Sequence, residues 1–382
     1  MFGEQSLLMI VVGWSALAVG CAWLAPARWQ TTLIALCGIA LLACVSPIAI
    51  VLLSAGTAAT YLLHARGPVG KRTLWVAVVT IALLYAGFVL ASRQMPYAAA
   101  AAISPAAARV VLPLGLAFAC LRWIHYLCES YKRTLREHTF AEYCCYQFLP
   151  STLPVGPIHR FDEFHRDLRR KRWDATFFSY GGQRILYGLV KLVVIGNYLL
   201  GEQMTHALAY PMAQPTLWGA YLSAVLFWAK LYVLFSGYSD VAIGFGAAMG
   251  LQIRENFNWP FMARNIREFW QRWHNSLASW CRDYVFMPVL SATRSQALAV
   301  LSAMVVLGLW HDVSLRYLIW GAYHGCGIAV FRWFESRTGS LVDALPGWLD
   351  TAWRALAGLL TLHFVILSFP ITSAIEHLAE GL

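Results

Sequence analysis

Long apolar runs, separated by short polar connections, dominate the sequence. The runs that are almost free of charge cover residues 6–26, 31–55, 73–91, 106–127, 185–200, 216–236, 296–310, 317–331 and 352–370. A helix of about 20 apolar residues is long enough to span the hydrocarbon core of a bilayer. The pattern therefore predicts an all-α polytopic membrane protein with roughly nine to eleven membrane segments. Several runs are shorter than a full span, so we expect some to be re-entrant or enclosed by protein.

Prolines and polar residues predict where these runs are interrupted. Pro47 lies inside the apolar stretch 31–63 and predicts a break between two helices. The proline-containing segment 96–109 predicts an external loop. The first run follows acidic Glu4 and no basic residue, which favours a retained transmembrane helix over a signal peptide. Because no internal repeat or low-complexity linker appears, we expect a single domain over residues 1–382.

The stretch 148–161 differs from the runs before it because it contains Pro150, Pro154 and Pro157. Each proline removes a backbone donor, and a lipid-exposed backbone cannot replace the lost hydrogen bond. We therefore expect irregular backbone that lines a protein-enclosed cavity.

Composition and charge exclude two broad classes of protein. The chain has 382 residues, of which 59% are hydrophobic and only 13% charged, so a soluble domain is excluded.

The formal net charge of +10 does not indicate nucleic-acid binding. The basic residues cluster between apolar runs, as the positive-inside rule predicts for cytoplasmic loops. The three clusters are Arg66, Lys71 and Arg72; Arg122, Lys132, Arg133 and Arg136; and Arg160, Arg166, Arg169, Arg170, Lys171 and Arg172. They are explained by topology and contact with lipid headgroups, or by docking of an acidic acyl donor or carrier protein.

Cysteine and histidine spacing gives no indication of a disulfide framework or a metal site. Several of the nine cysteines lie inside apolar runs, where they act as small packing residues. Neither the Cys144-Cys145 pair nor His159 with His165 has the spacing of metal ligands.

Residues 235–290 combine polar, aromatic and cationic residues between apolar runs. Asp240 lies within apolar sequence, where a carboxylate is costly unless it faces a partner or a wet cavity. Three tryptophans alternate with three arginines, a mixture typical of the headgroup interface: Trp270, Trp273, Trp280, Arg267, Arg272 and Arg282. We predict amphipathic or re-entrant helices over residues 256–290.

Three histidines in the same half are candidate catalytic groups. His311 follows the apolar run 296–310, and an ionisable group at membrane depth tends to face a cavity or a partner. Imidazole is also the usual general base near neutral pH. A neutral histidine bonded to a carbonyl would fit His311 equally well, an interfacial cation would fit His274, and a structural role suits His324. The sequence contains no nucleophile elbow, zinc-binding helix, P-loop or dinucleotide fingerprint.

Five ordered motifs resemble the membrane-bound O-acyltransferase family, in its bacterial branch of alginate O-acetylases and teichoic-acid D-alanyl transferases. They are Phe-Ser-Gly-Tyr-Ser-Asp (235–240), Asn-Phe-Asn-Trp-Pro-Phe (256–261), Phe-Trp-Gln-Arg-Trp-His-Asn-Ser-Leu (269–277), Arg-Asp-Tyr-Val-Phe (282–286) and Gly-Leu-Trp-His (308–311). Val-Gly-Pro-Ile-His-Arg-Phe (155–161) resembles a further element of the family. The resemblance implies a ring of tilted helices around a central tunnel, with the motif-rich catalytic half at about 140–335.

The resemblance also assigns roles to individual residues. His311 matches the membrane-embedded catalytic histidine, and His274 matches the second signature histidine. The residues expected to line the substrate tunnel or to support it are Asp240, Asn256, Trp270, Arg272, Trp273, Arg282, Asp283, Trp310, Asp312 and His324. Asp312 departs from the small or amide residue usual in relatives, and it would raise the basicity of His311 if the two side chains met.

The implied function is acyl transfer in the bacterial cytoplasmic (inner) membrane, from a cytoplasmic thioester to a hydroxyl of an extracytoplasmic polysaccharide or cell-wall polymer. No cofactor is expected; acyl-CoA or an acyl carrier protein would be the co-substrate. Acetyl is preferred and D-alanyl is compatible, and a periplasmic or extracellular acyltransferase partner is left open. The alternatives are a transporter that uses the same polar cavity and a non-catalytic scaffold.

Overall fold

The computed structural model describes residues 4–94, 115–214, 216–343 and 346–380. Within these ranges the chain forms helices and no strand, which confirms the all-α membrane class; Phe257 and Trp273 make one isolated antiparallel bridge. Two compact units are formed by Met1–Leu189 with Gly237–Arg254, and by Val190–Ser236 with Glu255–Leu382. We refer to them as the first and second units. The expected loop at 96–109 lies outside the described residues.

The first unit contains the N-terminal helices and a basic segment. Its helices are α1 (Glu4–Leu24), α2 (Ala27–Val45), α3 (Pro47–Ala65), α4 (Lys71–Gln94), α5 (Leu116–Lys132), α6 (Phe140–Gln147), α7 (Phe161–Arg170) and α8 (Ala175–Leu189). The break predicted at Pro47 is confirmed, because α2 ends at Val45 and proline occupies the first turn of α3, where its missing N–H is not needed.

The proline-rich stretch between α6 and α7 is irregular and enclosed by the first unit. Leu149, Leu153 and Ile158 are at most 1% exposed. The Tyr146 hydroxyl donates to the His159 carbonyl at 2.9 Å, which satisfies one backbone acceptor that a helix would otherwise have paired. The structure therefore agrees with irregular, protein-shielded backbone here, whereas the predicted cavity stays a prediction.

The second unit contains the motif-rich sequence. A π-helical segment (Val190–Met204) leads through α9 (Thr205–Ala207) and α10 (Ala209–Ala213) to α11 (Leu217–Ala248), whose last turns belong to the first unit. After a 3₁₀ turn (Pro260–Met262) come α12 (Ile266–Arg272), α13 (Asn275–Cys281), a π turn (Arg282–Phe286), α14 (Met287–Thr293), α15 (Gln296–His311), α16 (Leu315–Asp343) and α17 (Gly347–Glu380). The short helices agree with the broken, amphipathic segment predicted at 256–290.

Helices α15 and α16 form an antiparallel hairpin with almost touching backbones. A Cβ atom on Gly321 would lie 2.5 Å from the Met304 carbonyl oxygen, and one on Gly308 would collide with the carbonyl of Tyr317. Only glycine allows this approach, so the two positions fix how the helices pack. The hairpin places the end of α15 beside the start of α16.

Seven described helices are long and apolar enough to cross a membrane, fewer than the nine to eleven segments expected. They cover Ser6–Leu24, Ala27–Val45, Pro47–Ala65, Lys71–Ser92, Ala175–Ala207, Leu217–Ala248 and Gly347–Glu376. Helix α15 is apolar but has only 16 residues, about 24 Å, which is short of a full span. The start of the predicted run 106–127 lies outside the described residues.

Candidate active site

His311 is the last residue of α15, and its side chain is exposed although it lies among aromatic rings. Helix α15 begins after Ser295, whose hydroxyl accepts a hydrogen bond from the Leu298 N–H. The residues that follow are mostly Ala, Val and Leu, and His311 lies at the opposite end of the helix. The chain then leaves the helix at Asp312, whose backbone is extended. An exposed imidazole at the end of an apolar helix can exchange protons and meet a substrate.

Three aromatic side chains surround this imidazole. Ring centroids lie 5.0 Å away for Trp310, 5.7 Å for Trp320 and 5.9 Å for Tyr317. Tyr317 and Trp320 are three residues apart on α16, so they share the helix face that the hairpin turns toward His311. The imidazole therefore has apolar walls and one accessible side.

His274, the second signature histidine, is buried and held by a defined partner. It caps the start of α13 with a φ of 48°, a left-handed conformation that non-glycine residues adopt rarely and mostly at constrained sites. Its Nδ1 lies 3.2 Å from Oδ1 of Asn256, which also accepts a hydrogen bond from the Ser276 hydroxyl at 2.6 Å. Asn256 is itself fully buried, so the contact is shielded from water.

Trp310 contacts both histidines in the second unit. Its ring centroid is 5.0 Å from that of His311 and 6.3 Å from that of His274. Phe235 packs edge-on against the other side of His274 at 4.7 Å. The structure thus brings together four of the predicted site residues: His311, His274, Trp310 and Asn256. We call these four the histidine site.

The tryptophans of the third motif support this site from α12 and its end. Trp270 is 8% exposed and contacts Trp320 at 5.7 Å and His324 at 5.2 Å. Trp273 is also buried and stacks on Phe269 at 5.6 Å. Both are therefore buried among aromatic rings of the second unit, and their role at the substrate tunnel stays a prediction.

His324 is fully buried on α16, and neither of its ring nitrogens has a hydrogen-bond partner among the described residues. Its ring lies 4.6 Å from Trp320, one turn earlier on the helix. The structural role considered for His324 is compatible with this burial. The missing partners are unusual, because buried polar groups are normally satisfied.

The other charged residues predicted for the site form ion pairs, and their part in the site stays a prediction. Asp240 forms a buried ion pair with Arg184 in the first unit. Arg272 pairs with Glu268 one turn earlier, at 2.7 Å. The exposed Arg282 pairs with its neighbour Asp283 at 2.9 Å. Asp312 is the residue at which α15 ends, and its effect on His311 stays a prediction.

The densest basic cluster in the first unit is largely engaged by local partners. Arg169 binds Glu142 at 2.8 Å, and the Lys171 ammonium donates to the Ala22 carbonyl at 2.6 Å. Burial alone would raise the pKa of Glu142, but hydrogen bonds from Arg169 and Thr139 outweigh it and lower the pKa to about 2. Arg122, grouped from sequence with loop residues, is instead fully buried in α5.

Sequence reasoning missed the residues that complete the histidine site. Four further residues contact its members: Tyr317, Trp320, Phe235 and Ser276. Phe235 and Ser276 lie within the quoted motifs but were not named as site residues. Tyr317 and Trp320 could have been found from their i, i+3 spacing at the start of the helix that follows His311. Within the described ranges, no three His, Cys, Asp or Glu side chains are placed so that they could hold a metal ion.

Comparison with known proteins connects this geometry to a family. The sequence model of the membrane-bound O-acyltransferase family matches residues 75–367, which include both histidines and all five motifs. The chain belongs to the membrane-bound O-acyltransferase family. The resemblance drawn from the motifs is therefore confirmed.

Several curated relatives in this O-acyltransferase family are similar to the chain. The probable alginate O-acetylase AlgI of Pseudomonas aeruginosa is 35% identical over 228 residues, 58% of this chain and 43% of that protein. The teichoic acid D-alanyltransferase of Bacillus subtilis is 30% identical over 277 residues, 68% of each chain. The peptidoglycan O-acetyltransferase of Helicobacter pylori is 25% identical over 292 residues, 68% of this chain and 54% of that protein. The chain thus spans about half the length of the two O-acetyltransferases.

Proposed function

We propose that the protein transfers an acyl group from a cytoplasmic thioester to a hydroxyl of an extracytoplasmic polysaccharide or cell-wall polymer, with His311 as general base. One observation carries the proposal: the His311 imidazole is accessible, yet it is walled by Trp310, Tyr317 and Trp320 at the end of an apolar helix. Such surroundings admit a substrate while they limit the access of water, which would otherwise hydrolyse the thioester.

In the proposed reaction the acceptor hydroxyl gives its proton to the His311 imidazole. The acceptor oxygen attacks the carbonyl carbon of the thioester, a new C–O bond forms, and the C–S bond breaks. The thiolate that leaves takes up the proton, so the imidazole returns to its neutral state. Two substrates held end to end need little further ordering before they react.

His274 has the position of a supporting group in this reaction. It is buried, its Nδ1 faces Asn256, and its ring contacts Trp310, which also contacts His311. A ring held so firmly is suited to orient the acceptor by accepting a hydrogen bond from its hydroxyl. Its other nitrogen, Nε2, is the atom that would do so.

Acetyl is the acyl group that the similarities favour. The motif over 235–240 resembles that of the acetylases, and the identity to the alginate O-acetylase (35%) exceeds that to the D-alanyltransferase (30%).

The names of the relatives mention alginate, teichoic acid and peptidoglycan, which are all extracytoplasmic polymers with hydroxyl groups. We therefore propose a glycan acceptor and an inner-membrane location. Membership of an acyltransferase family disfavours the transporter and scaffold alternatives.

The experiment replaces His311 by alanine in purified, membrane-reconstituted protein and follows transfer from a labelled acetyl thioester to isolated cell-envelope polymer. We expect transfer to fall at least about a hundredfold, the usual contribution of a general base. His206→Ala is the matched control, because His206 is exposed and distant in sequence from all five motifs. Transfer by His311→Ala at the rate of the unmutated protein would refute the assignment.

A further inference from the structure

A long apolar groove lies in the first unit, between α3, α4 and α5. It has a volume of about 740 Å³. On α4 its lining runs from Arg72 to Phe88, which corresponds to about 24 Å along the helix axis. Helices α3 and α4 are both long and apolar enough to cross a membrane, so the groove lies at membrane depth.

The walls of the groove offer little to a polar ligand. Most lining residues are aliphatic or aromatic. The Thr60 hydroxyl already donates to the Gly56 carbonyl at 2.8 Å, and the Trp123 indole N–H donates to the Thr57 hydroxyl at 3.2 Å. The interior is therefore suited to a hydrocarbon chain rather than to a sugar or a nucleotide.

Positive charge is confined to one end of the groove. Among the described residues that line it, Arg72 is the only charged one, and none is Asp or Glu. The end of α5 meets the turn between α3 and α4 here, because the Val69 N–H donates to the Ser130 hydroxyl at 3.4 Å. Three further exposed cations follow from this meeting of helix ends: Arg66, Lys71 and Arg133.

These four cations have no carboxylate within ion-pairing distance in the part of the chain that the structure describes. The nearby Glu129 pairs with Lys132 at 2.8 Å instead. The first turn of α4, which contains Lys71 and Arg72, has no acidic residue. Cations in the first turn of a helix are disfavoured by the helix dipole unless an anion lies beside them. The cationic end of the groove is therefore complementary to an anionic group.

The chain segment 95–114 cannot supply this anion. It contains no Asp or Glu. It is joined to the described structure at Gln94 and Gly115, which follow Phe88 and precede Leu116 at the end of the groove opposite Arg72. An occupant that matches both the apolar walls and the cationic end must therefore combine a hydrocarbon chain with a negative headgroup.

We propose that the groove binds one acyl chain of an anionic phospholipid, whose phosphate lies at Arg72. The acyl chain runs along α4 toward Phe88. The groove is about 24 Å long, whereas one leaflet contributes only about 15 Å of hydrocarbon, so this chain is extended and crosses the bilayer midplane. That depth distinguishes the bound lipid from the lipids that surround the protein. The proposal does not depend on acyl transfer.

The first test measures the headgroup preference. The full chain is placed in nanodiscs that contain equal amounts of phosphatidylglycerol and phosphatidylethanolamine with identical acyl chains, and the retained lipid is identified by native mass spectrometry. We expect phosphatidylglycerol to be retained about tenfold or more over phosphatidylethanolamine, and Arg72→Gln to lower this preference about fivefold. Arg172→Gln should retain it. Arg172 is a matched control, because it is an exposed arginine of the first unit that does not line the groove.

The second test measures the depth of the acyl chain. A phosphatidylglycerol analogue with a diazirine at the end of one acyl chain is photolysed in the same nanodiscs, and the labelled peptides are mapped. We expect label at Phe88 and Leu116, at the end of the groove opposite Arg72. Ala77→Trp places a large ring inside the groove and should remove this label. Ala82→Trp should not, because Ala82 is exposed on α4 and does not line the groove.

Equal retention of the two lipids by the unmutated protein would overturn the proposal. So would an unchanged preference in Arg72→Gln, or label that is absent from both Phe88 and Leu116. If Ala77→Trp elutes as a monodisperse protein and keeps the label, the lipid does not occupy the groove. If that variant does not fold, the preference of Arg72→Gln decides. A dimer that retains no lipid would assign the groove to a second copy of the chain and also overturn the proposal.

Discussion

The Oδ1 atom of Asn256 lies 3.2 Å from Nδ1 of His274. A carboxamide oxygen only accepts hydrogen bonds, so this contact places the histidine proton on Nδ1 and leaves Nε2 as an acceptor while the ring is neutral. Ser276 donates to the same oxygen at 2.6 Å and holds the carboxamide in place. The orientation of His274 therefore depends on a residue eighteen positions earlier in the chain.

Replacing Asn256 by alanine should lower acyl transfer by about tenfold or more, because His274 loses the partner that fixes its ring. Asn256→Asp, which keeps an acceptor oxygen at this position, should recover part of the rate. Transfer to isolated polymer is the measurement, and Asn258→Ala is the control, because Asn258 is exposed on the same segment. An Asn256→Ala protein with full activity would contradict a positioning role for this residue.

The close approach of α15 and α16 predicts that Gly308 cannot be enlarged. A methyl group there would meet the Tyr317 carbonyl, so we expect Gly308→Ala to destabilise the protein by about 2 kcal/mol, in the usual range for overpacking. Thermal unfolding in detergent measures the effect. Gly87→Ala is the control, because nothing lies within 4 Å of its added methyl group. Equal melting temperatures for the two variants would show that the hairpin can relax.

The buried ion pair of Arg184 with Asp240 predicts strong coupling between two substitutions. Asp240→Asn leaves the Arg184 guanidinium with a neutral partner and should destabilise the protein by about 3 kcal/mol. Arg184→Gln leaves the Asp240 carboxylate with a neutral partner and should destabilise it by a similar amount. The double variant should cost clearly less than the sum of the two single changes. The free energies of unfolding of the unmutated protein and the three variants are measured by denaturant titration, which gives the coupling energy between the two changes. If the losses of stability were additive, the two side chains would have no coupling energy.

Glu142 predicts a loss of stability in acid. Its pKa is lowered to about 2, from an ordinary value near 4.5, so its stabilising effect is complete above about pH 4.5 and is lost as the pH falls toward 2. The melting temperature should therefore decrease between pH 5 and about pH 3 more in the unmutated protein than in Glu142→Gln. Glu202→Gln, an exposed glutamate, should behave as the unmutated protein does. Parallel pH profiles for all three proteins would contradict the prediction.

The membrane class, the break at Pro47 and the two signature histidines could be predicted from sequence, because each follows from a local rule. Apolar length decides whether a helix can span a bilayer, and proline decides where a helix begins. The motifs identify His274 and His311 even though they are 37 positions apart. No pattern in the sequence, however, indicates that Trp310 would contact both of their rings.

The partners of charged residues could not be predicted, because they depend on packing between distant segments. Asp240 was expected to face a partner or a wet cavity, but the sequence does not indicate that Arg184, 56 residues earlier, is that partner. Arg122 was grouped with loop cations although it lies within the apolar run 106–127, and the structure buries it in α5. Within the described ranges seven helices are long enough to cross a membrane, and hydropathy alone does not distinguish the 16-residue α15 from a full crossing.

The glycine contacts between α15 and α16 have a consequence for how the enzyme could change its substrate. Because the two backbones are in contact, α15 and α16 cannot slide past one another without a steric clash, and we expect His311 to keep its spacing from Tyr317 and Trp320. Side chains on neighbouring helices could then be exchanged without disturbing these three rings. A scaffold of this kind would allow new acceptors to be selected while the proposed proton-transfer step is inherited unchanged.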